Sequence, residues 1–277
     1  MARPTPEPTP SDVALALDVA GARLGAFAEV RYFAEVDSTN DIAMTLAQDG
    51  APHGTAVLAG QQRAGRGRRG RSWFSPPGSG IYLSVVVRPG ADVAALSLVT
   101  LAAGVAAATG VRAASGLPVE LKWPNDLVIG RPWRKLGGVL CEAVGGTTVQ
   151  AVVVGIGLNV LAAAFPRELD GRATAVETEL GREIDRGTLV AEVLAALDGA
   201  CSLLQAGASG RARVCDQWRV FGRAGLGGAP VKWQDHGSPR SGLAVDIDPD
   251  GALVVDTETG RERVVAGEVL WQQLSRV

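Results

Sequence analysis

Between two apolar segments, Thr55–Gln61 and Ile81–Arg88, the chain carries Arg63–Arg71, nine residues of which five are arginine, spaced by Gly65, Gly67 and Gly70. Five guanidinium groups cannot be buried without partners, so this stretch belongs at a surface or over a ligand cavity. Gly65-Arg66-Gly67-Arg68-Arg69-Gly70 has the spacing of a dinucleotide-binding turn, and Gly65–Ser72 that of a P-loop with Arg71 in place of the lysine. Both motifs need a helix to open directly after the glycines, because its first N–H groups hold the phosphates. Trp73-Phe74-Ser75-Pro76-Pro77-Gly78 prevents that helix, and no acidic residue lies between Asp49 and Asp92 to take a ribose hydroxyl. Both folds are excluded. What remains is a glycine-rich segment whose backbone can approach a ligand and whose mutually repelling arginines phosphate or carboxylate oxygens would order. Taken alone, it leaves open a loop closing on a polyanionic small ligand, a solvated basic loop, or a nucleic-acid patch.

Helix and strand signals mix along the chain as far as Gly222. Ser11–Ala28, Asp41–Gln48, Val93–Thr109, Thr174–Leu180, Thr188–Leu204 and Arg211–Phe221 read as helices, and Arg31–Val36, Val119–Trp123, Lys135–Ala143 and Val149–Gly157 as strands. Asp37-Ser38-Thr39-Asn40 supplies N-cap chemistry ahead of the second helix. After Gly222–Gly228, turns at Asp235–Pro239, Pro249-Asp250-Gly251 and Thr259-Gly260 separate short alternating strands, which predicts a small β barrel. The expected organisation is a disordered Pro-rich tail at 1–12, an α+β domain at 13–222 and the barrel at 223–277. Val93–Val111 and Ala143–Pro166 are long and uncharged. The first is rich in small residues with its large apolar ones on one face, and the second is broken by glycines. Neither predicts a membrane span.

Three cysteines without a CxxC pair, and an opening without an apolar core, predict a reduced, cytoplasmic protein. The two histidines, His53 and His236, have no plausible partners nearby in sequence, which argues against zinc sites and His-based triads. The 27 basic residues include three lysines, Lys122, Lys135 and Lys232. A lysine kept against such a preference for arginine points to work that a compact ammonium does and a planar guanidinium does not. Lys122-Trp123-Pro124-Asn125-Asp126 ends a strand, where Pro124 fixes a turn and an amide and a carboxylate project, suited to nucleotide and magnesium. In Lys135-Leu136-Gly137-Gly138 an ammonium beside glycines can reach a carboxylate or an α-phosphate. Gly155-Ile156-Gly157-Leu158-Asn159 ends an apolar strand with open backbone and one amide. The chain's three asparagines, Asn40, Asn125 and Asn159, all fall in these clusters.

Asp37–Asn40, Gly65–Arg71 with Trp73, Lys122–Asp126, Lys135–Gly138 and Gly155–Asn159, in this order, resemble the biotin protein ligases, over about residues 30–277. The resemblance implies a mixed sheet with helices on one side, related to class II aminoacyl-tRNA synthetases, followed by a small SH3-like β barrel. It implies ATP and Mg²⁺ as cofactors and biotin as substrate. Biotin's carboxylate would attack the α-phosphate to give biotinyl-5′-adenylate and pyrophosphate. A lysine on the biotin carboxyl carrier domain of an acyl-CoA carboxylase would then take the biotinyl group and release AMP. By the same resemblance Ser38, Thr39, Asn40, Gln61, Gly65, Arg66, Gly67, Arg68, Tyr82, Ser84, Lys135, Gly138, Gly155 and Gly157 would bind biotin. Arg68, Arg71, Trp73, Lys122, Asn125 and Asn159 would bind ATP. Lys135, Arg68 and Asp126 would be catalytic, with Asp126 also a magnesium ligand. Some family members carry a helix-turn-helix repressor domain ahead of the ligase. Only 36 residues precede Asp37, so a short form without specific DNA binding or membrane contact, monomeric or weakly dimeric, is expected. A lipoate or octanoate ligase of the same fold and a non-enzymatic nucleic-acid module remain as alternatives.

Overall fold

The computed structural model describes residues 4–88, 93–146, 148–161, 165–235, 237–265 and 267–272, so His236 lies outside the described residues. Seven strands form one sheet in the order β1 (Val30–Val36), β2 (Ala56–Gln62), β3 (Gly80–Val87), β7 (Val149–Asn159), β6 (Arg134–Gly145), β5 (Asp126–Ile129) and β4 (Glu120–Lys122). β1 and β2 are parallel, joined through α2 (Thr39–Gln48), and every other neighbouring pair is antiparallel. The sheet is therefore mixed, as expected.

Strand alternation sorts the side chains between two faces. Ile81, Leu83 and Val85 of β3 and Val152, Val154, Ile156 and Leu158 of β7 pack against α3 (Val93–Ser115) and α5 (Arg186–Gln205). These two helices are long and apolar enough to cross a membrane by length and composition, but they lie against each other inside the fold. Small residues permit the close approach. A Cβ on Gly110 of α3 would stand 2.6 Å from the Val193 backbone of α5. On the other face Val57, Ala59, Val86, Val144 and Val153 pack beneath Ala43 and Ala47 of α2. Helices thus cover both faces, not one. Tyr82 and Ser84 share the parity of Val86, and Gly155 and Gly157 that of Val153. Period-2 alternation alone therefore gathers four of the predicted site residues under α2.

The expected disorder at 1–12 does not hold for the described part of the tail. Glu7 N donates to Tyr32 O at 2.8 Å and the Glu7 carboxylate accepts from Ala34 N at 3.1 Å, so the tail covers the β1 edge, and α1 (Ser11–Ala20) follows at once. The flanking prolines cannot donate to a ladder; Glu7 supplies the N–H they lack. After β7 come α4 (Val176–Leu180), α5 and α6 (Gly207–Leu226). The predicted boundary at 222/223 falls inside α6. Beyond it lies a five-stranded antiparallel sheet in the order β11 (Gly260–Val264), β10 (Leu253–Thr257), β9 (Ser238–Ile247), β8 (Ala229–Asp235), β12 (Val269–Trp271), consistent with an SH3-like domain. Trp218 of α6 shares one apolar cluster with Val231, Trp233 and Ile247 on one side and with α3 and α5 on the other, so the two parts have a continuous core.

Candidate active site

At the start of α2 the polar run serves the site, not the helix cap. Ser38 has the extended backbone of an N-cap (φ −153°), but its side chain makes no capping bond. Thr39 donates from N and Oγ1 to Gln62 Oε1, at 2.9 and 3.1 Å. Ser84 Oγ lies 2.7 Å from Thr39 Oγ1 and donates to Asn40 Oδ1 at 2.6 Å. Asn40 Nδ2 donates to Glu142 Oε2 at 2.6 Å, and Gln62 Nε2 donates to Ser75 Oγ at 2.9 Å. Ser38, Thr39, Asn40 and Ser84 are all buried. A buried polar floor of this kind persists because Thr39, Asn40 and Ser84 bond to one another and to Gln62 and Glu142. The strand beneath it must be glycine: a Cβ on Gly155 would stand 2.2 Å from Asn40 Oδ1, and one on Gly157 2.6 Å from the Trp73 ring.

Beside this floor the β4–β5 hairpin places Asp126 between two lysines. Its Oδ2 is 2.8 Å from Lys122 Nζ and its Oδ1 2.5 Å from Lys135 Nζ. Burial alone would push the Asp126 carboxyl up, but the two ammonium groups outweigh it and hold the pKa below the ordinary aspartate value. Lys135 Nζ also lies 5.4 Å from the Trp73 ring centroid. Asn125 Nδ2 donates to Val139 O at 2.7 Å, which leaves its Oδ1 facing Arg68 at 3.4 Å. Asn159 Nδ2 donates to Thr174 O at 3.0 Å, tying the segment before α4 to the end of β7.

The arginine segment folds back on itself. Gly67 N donates to Arg71 O at 2.7 Å and Trp73 N to Gly65 O at 2.8 Å, with Arg69 (φ +58°) and Gly70 (φ +73°) at the tip. The arginines divide. Arg66 is ion-paired with Asp41 and, at 2.9 Å, with Glu142. Arg71 is ion-paired with Glu268 of the C-terminal domain. Arg68 is half-buried, has no ion pair among the described residues, and burial lowers its pKa. Trp73 Nε1 is buried with no hydrogen-bond partner among the described residues. In a ligand cavity such a donor awaits an acceptor.

These groups line one cavity of about 880 Å³. It brings together Ser38, Thr39, Asn40, Arg66, Gly67, Arg68, Arg71, Trp73, Tyr82, Lys122, Asn125, Asp126, Lys135, Gly138, Gly155, Gly157 and Asn159. Three expected residues stand elsewhere. Ser84 lies beneath the floor, and Gly65 packs behind the wall, where a Cβ would meet Ser75 Oγ and Trp73 O at 2.6 Å. Gln61 turns away to hydrogen-bond Glu35 on β1, and the glutamine in the site is Gln62. The sheet edge explains the error. On β1 both Phe33 and Val36 reach the α2-side cluster, so alternation breaks there, and β2, paired with it, breaks too. The Tyr82 hydroxyl is committed to Pro76 O at 3.0 Å, and burial pushes its pKa up to about 12. The C-terminal domain also reaches the cavity through Glu268, Leu270 and Trp271, which no local sequence signal marked.

Asp126, the expected magnesium ligand, has both carboxylate oxygens against lysines, and among the described residues no three His, Cys, Asp or Glu side chains converge. Magnesium carried by ATP takes one or two protein carboxylates and fills its shell with phosphate and water oxygens, so Asp126 is the residue here that would hold it.

Residues 32–159 match the Biotin/lipoate A/B protein ligase family and residues 227–270 the Biotin protein ligase C terminal domain. The chain is 34% identical to the biotin–[acetyl-CoA-carboxylase] ligase of Paracoccus denitrificans, over 86% of this chain and 98% of that one. It is 31% identical to the bifunctional ligase/repressor BirA of Bacillus subtilis, over 86% of this chain and 72% of that one. Among solved structures, the biotin protein ligase of Aquifex aeolicus in complex with biotin and ATP superposes with a TM-score of 0.75 at 27% identity, covering 89% of this chain and 99% of that one.

Proposed function

The chain belongs to the biotin protein ligase family, and from that premise we propose that its cavity joins biotin to ATP and delivers the biotinyl group to a lysine of a carboxylase carrier domain. It is an ATP-dependent ligase. The relatives favour neither a lipoate ligase nor a nucleic-acid module. The observation that carries the assignment of roles is the Lys122–Asp126–Lys135 triad opening onto the glycine-backed floor of Thr39, Asn40 and Gln62.

Adenylation brings two anions into contact, so the protein's work is neutralisation and positioning. A biotin carboxylate oxygen attacks the α-phosphorus of ATP. The bond to the bridging oxygen breaks, and pyrophosphate leaves with the electron pair. Asp126 holds Lys135 and Lys122 in place until the ligands arrive. Lys135 then bridges the carboxylate and the α-phosphate, and Lys122 faces the leaving pyrophosphate. Arg68, with no ion pair among the described residues, closes on the adenylate and shields the mixed anhydride from water. Trp73, Asn125 and Asn159 line the nucleotide side. In the second step the acceptor ε-amine attacks the acyl carbon and AMP leaves. Cys141, Cys201 and Cys215 are free thiols, which fits a reducing cytoplasm.

The test is to incubate the protein with biotin, ATP and a carrier domain and measure the acceptor's mass. A single biotinyl addition is expected, dependent on ATP and lost when the acceptor lysine is changed to arginine. No addition to an intact carrier domain would refute the reading.

A further inference from the structure

Glu142 stands between the two halves of the site. It lies on β6, paired with Val153 of β7, and faces α2. Its Oε2 accepts from Asn40 Nδ2 at 2.6 Å and from Arg66 at 2.9 Å. The second terminal nitrogen of Arg66 is ion-paired with Asp41, in the first turn of α2. Burial opposes the charge on Arg66, but hydrogen bonds to Glu142 and Asp41 more than offset it and raise its pKa. Facing two carboxylates, Arg66 has little charge left to offer a third anion. Its position matters instead. Arg66 pairs with Ser72 across the base of the arginine loop, so fixing Arg66 fixes where the loop starts.

We infer that Glu142 is a positioning residue. One carboxylate oxygen ties Asn40, in the floor under the acid substrate, to Arg66, at the root of the loop that closes on the adenylate, so seating of the acid and closure of the loop are coupled. The inference rests on the adenylation reading above. Glu142 acts through Asn40 and Arg66. Hydrogen bonds to a charged group are stronger than neutral ones, so losing the carboxylate charge loosens the Arg66 end first. A neutral amide oxygen can still accept from Asn40.

The experiment compares Glu142→Gln with Glu142→Leu in the full chain. It measures biotin KM in ATP–pyrophosphate exchange and, without acceptor, the rate at which biotinyl-adenylate escapes and is hydrolysed, both per active site, with thermal unfolding alongside. Glu142→Gln is expected to raise escape about fivefold or more, with biotin KM changed less than threefold. Glu142→Leu, which loses both bonds, should raise escape and biotin KM together. Should Glu142→Leu fail to fold, the isosteric Glu142→Gln still decides through its escape rate. Wild-type escape in both variants overturns the proposal, and so does a fall in active fraction and melting temperature alone. Absence of biotin-dependent exchange in the wild type would instead remove the adenylation reading beneath it.

Discussion

Gly155→Ala tests the floor with a single methyl group. Gly155 has ordinary strand geometry, pairing with Ser84 on one side and Leu140 on the other, so alanine adds no backbone strain. The added Cβ would stand 2.2 Å from Asn40 Oδ1 and 3.0 Å from Asn40 Cγ. Carbon contacts settle near 3.5 Å, so the Asn40 amide must retreat by about 1 Å. A shift of that size stretches the 2.6 Å bonds to Ser84 and Glu142 beyond hydrogen-bonding range. A neutral buried bond contributes about 1 kcal/mol and one to a carboxylate about 1.5–3 kcal/mol, giving a cost of roughly 2–4 kcal/mol shared between stability and binding. At 1.4 kcal/mol per factor of ten, a rise in biotin Kd of about tenfold or more is expected. The assay is titration calorimetry with biotin, with ATP binding as the control. The displaced Asn40 bonds to Ser84, Glu142 and Leu140, while the triad is held by its own ion pairs, and ATP affinity should stay within about twofold. Unchanged biotin affinity and melting temperature would refute the placement of the acid on this floor.

Two further outcomes follow from named contacts. Lys135→Ala removes the ammonium 2.5 Å from Asp126, and single-turnover adenylation should fall about 10²–10³-fold, since the two reacting anions lose their shared cation; near-normal rates would take Lys135 out of the mechanism. Asp185→Ala removes the N-cap of α5, whose carboxylate accepts from Thr188 N at 2.6 Å, and should cost about 1 kcal/mol of stability with kcat unchanged. Hydrogen bonding from the Thr188 side chain first, and from its N–H second, holds the Asp185 carboxyl below its ordinary value of 3.8, so its contribution is complete above that pH and fades as pH falls through the folded-state pKa. The melting-temperature gap between wild type and Asp185→Ala should therefore narrow on acidification below about pH 4 and be constant near neutrality.

Local chemistry made much of the molecule legible. Scarcity of lysine singled out Lys122 and Lys135, and the structure places both on one carboxylate. Turn spacing revealed the C-terminal strands. What failed depended on pairing between distant segments. Nothing in Gln61-Gln62 says which residue faces α2, because that is set where β1 and β2 break alternation together. The arginine loop read as a set of equivalent cations, yet Glu142 and Glu268, far along the chain, commit Arg66 and Arg71 and leave Arg68 for the ligand. Trp271 reaches the cavity because α6 docks the second sheet against the first. The tail read as disordered because proline-rich composition hides the one N–H, on Glu7, that meets an open strand edge.

The most direct test of the central claim is ATP–pyrophosphate exchange by the purified chain with biotin, lipoate or octanoate as the only acid. The account predicts exchange with biotin and background with the other two. Exchange driven by lipoate or octanoate, or none with biotin from folded protein, would contradict it.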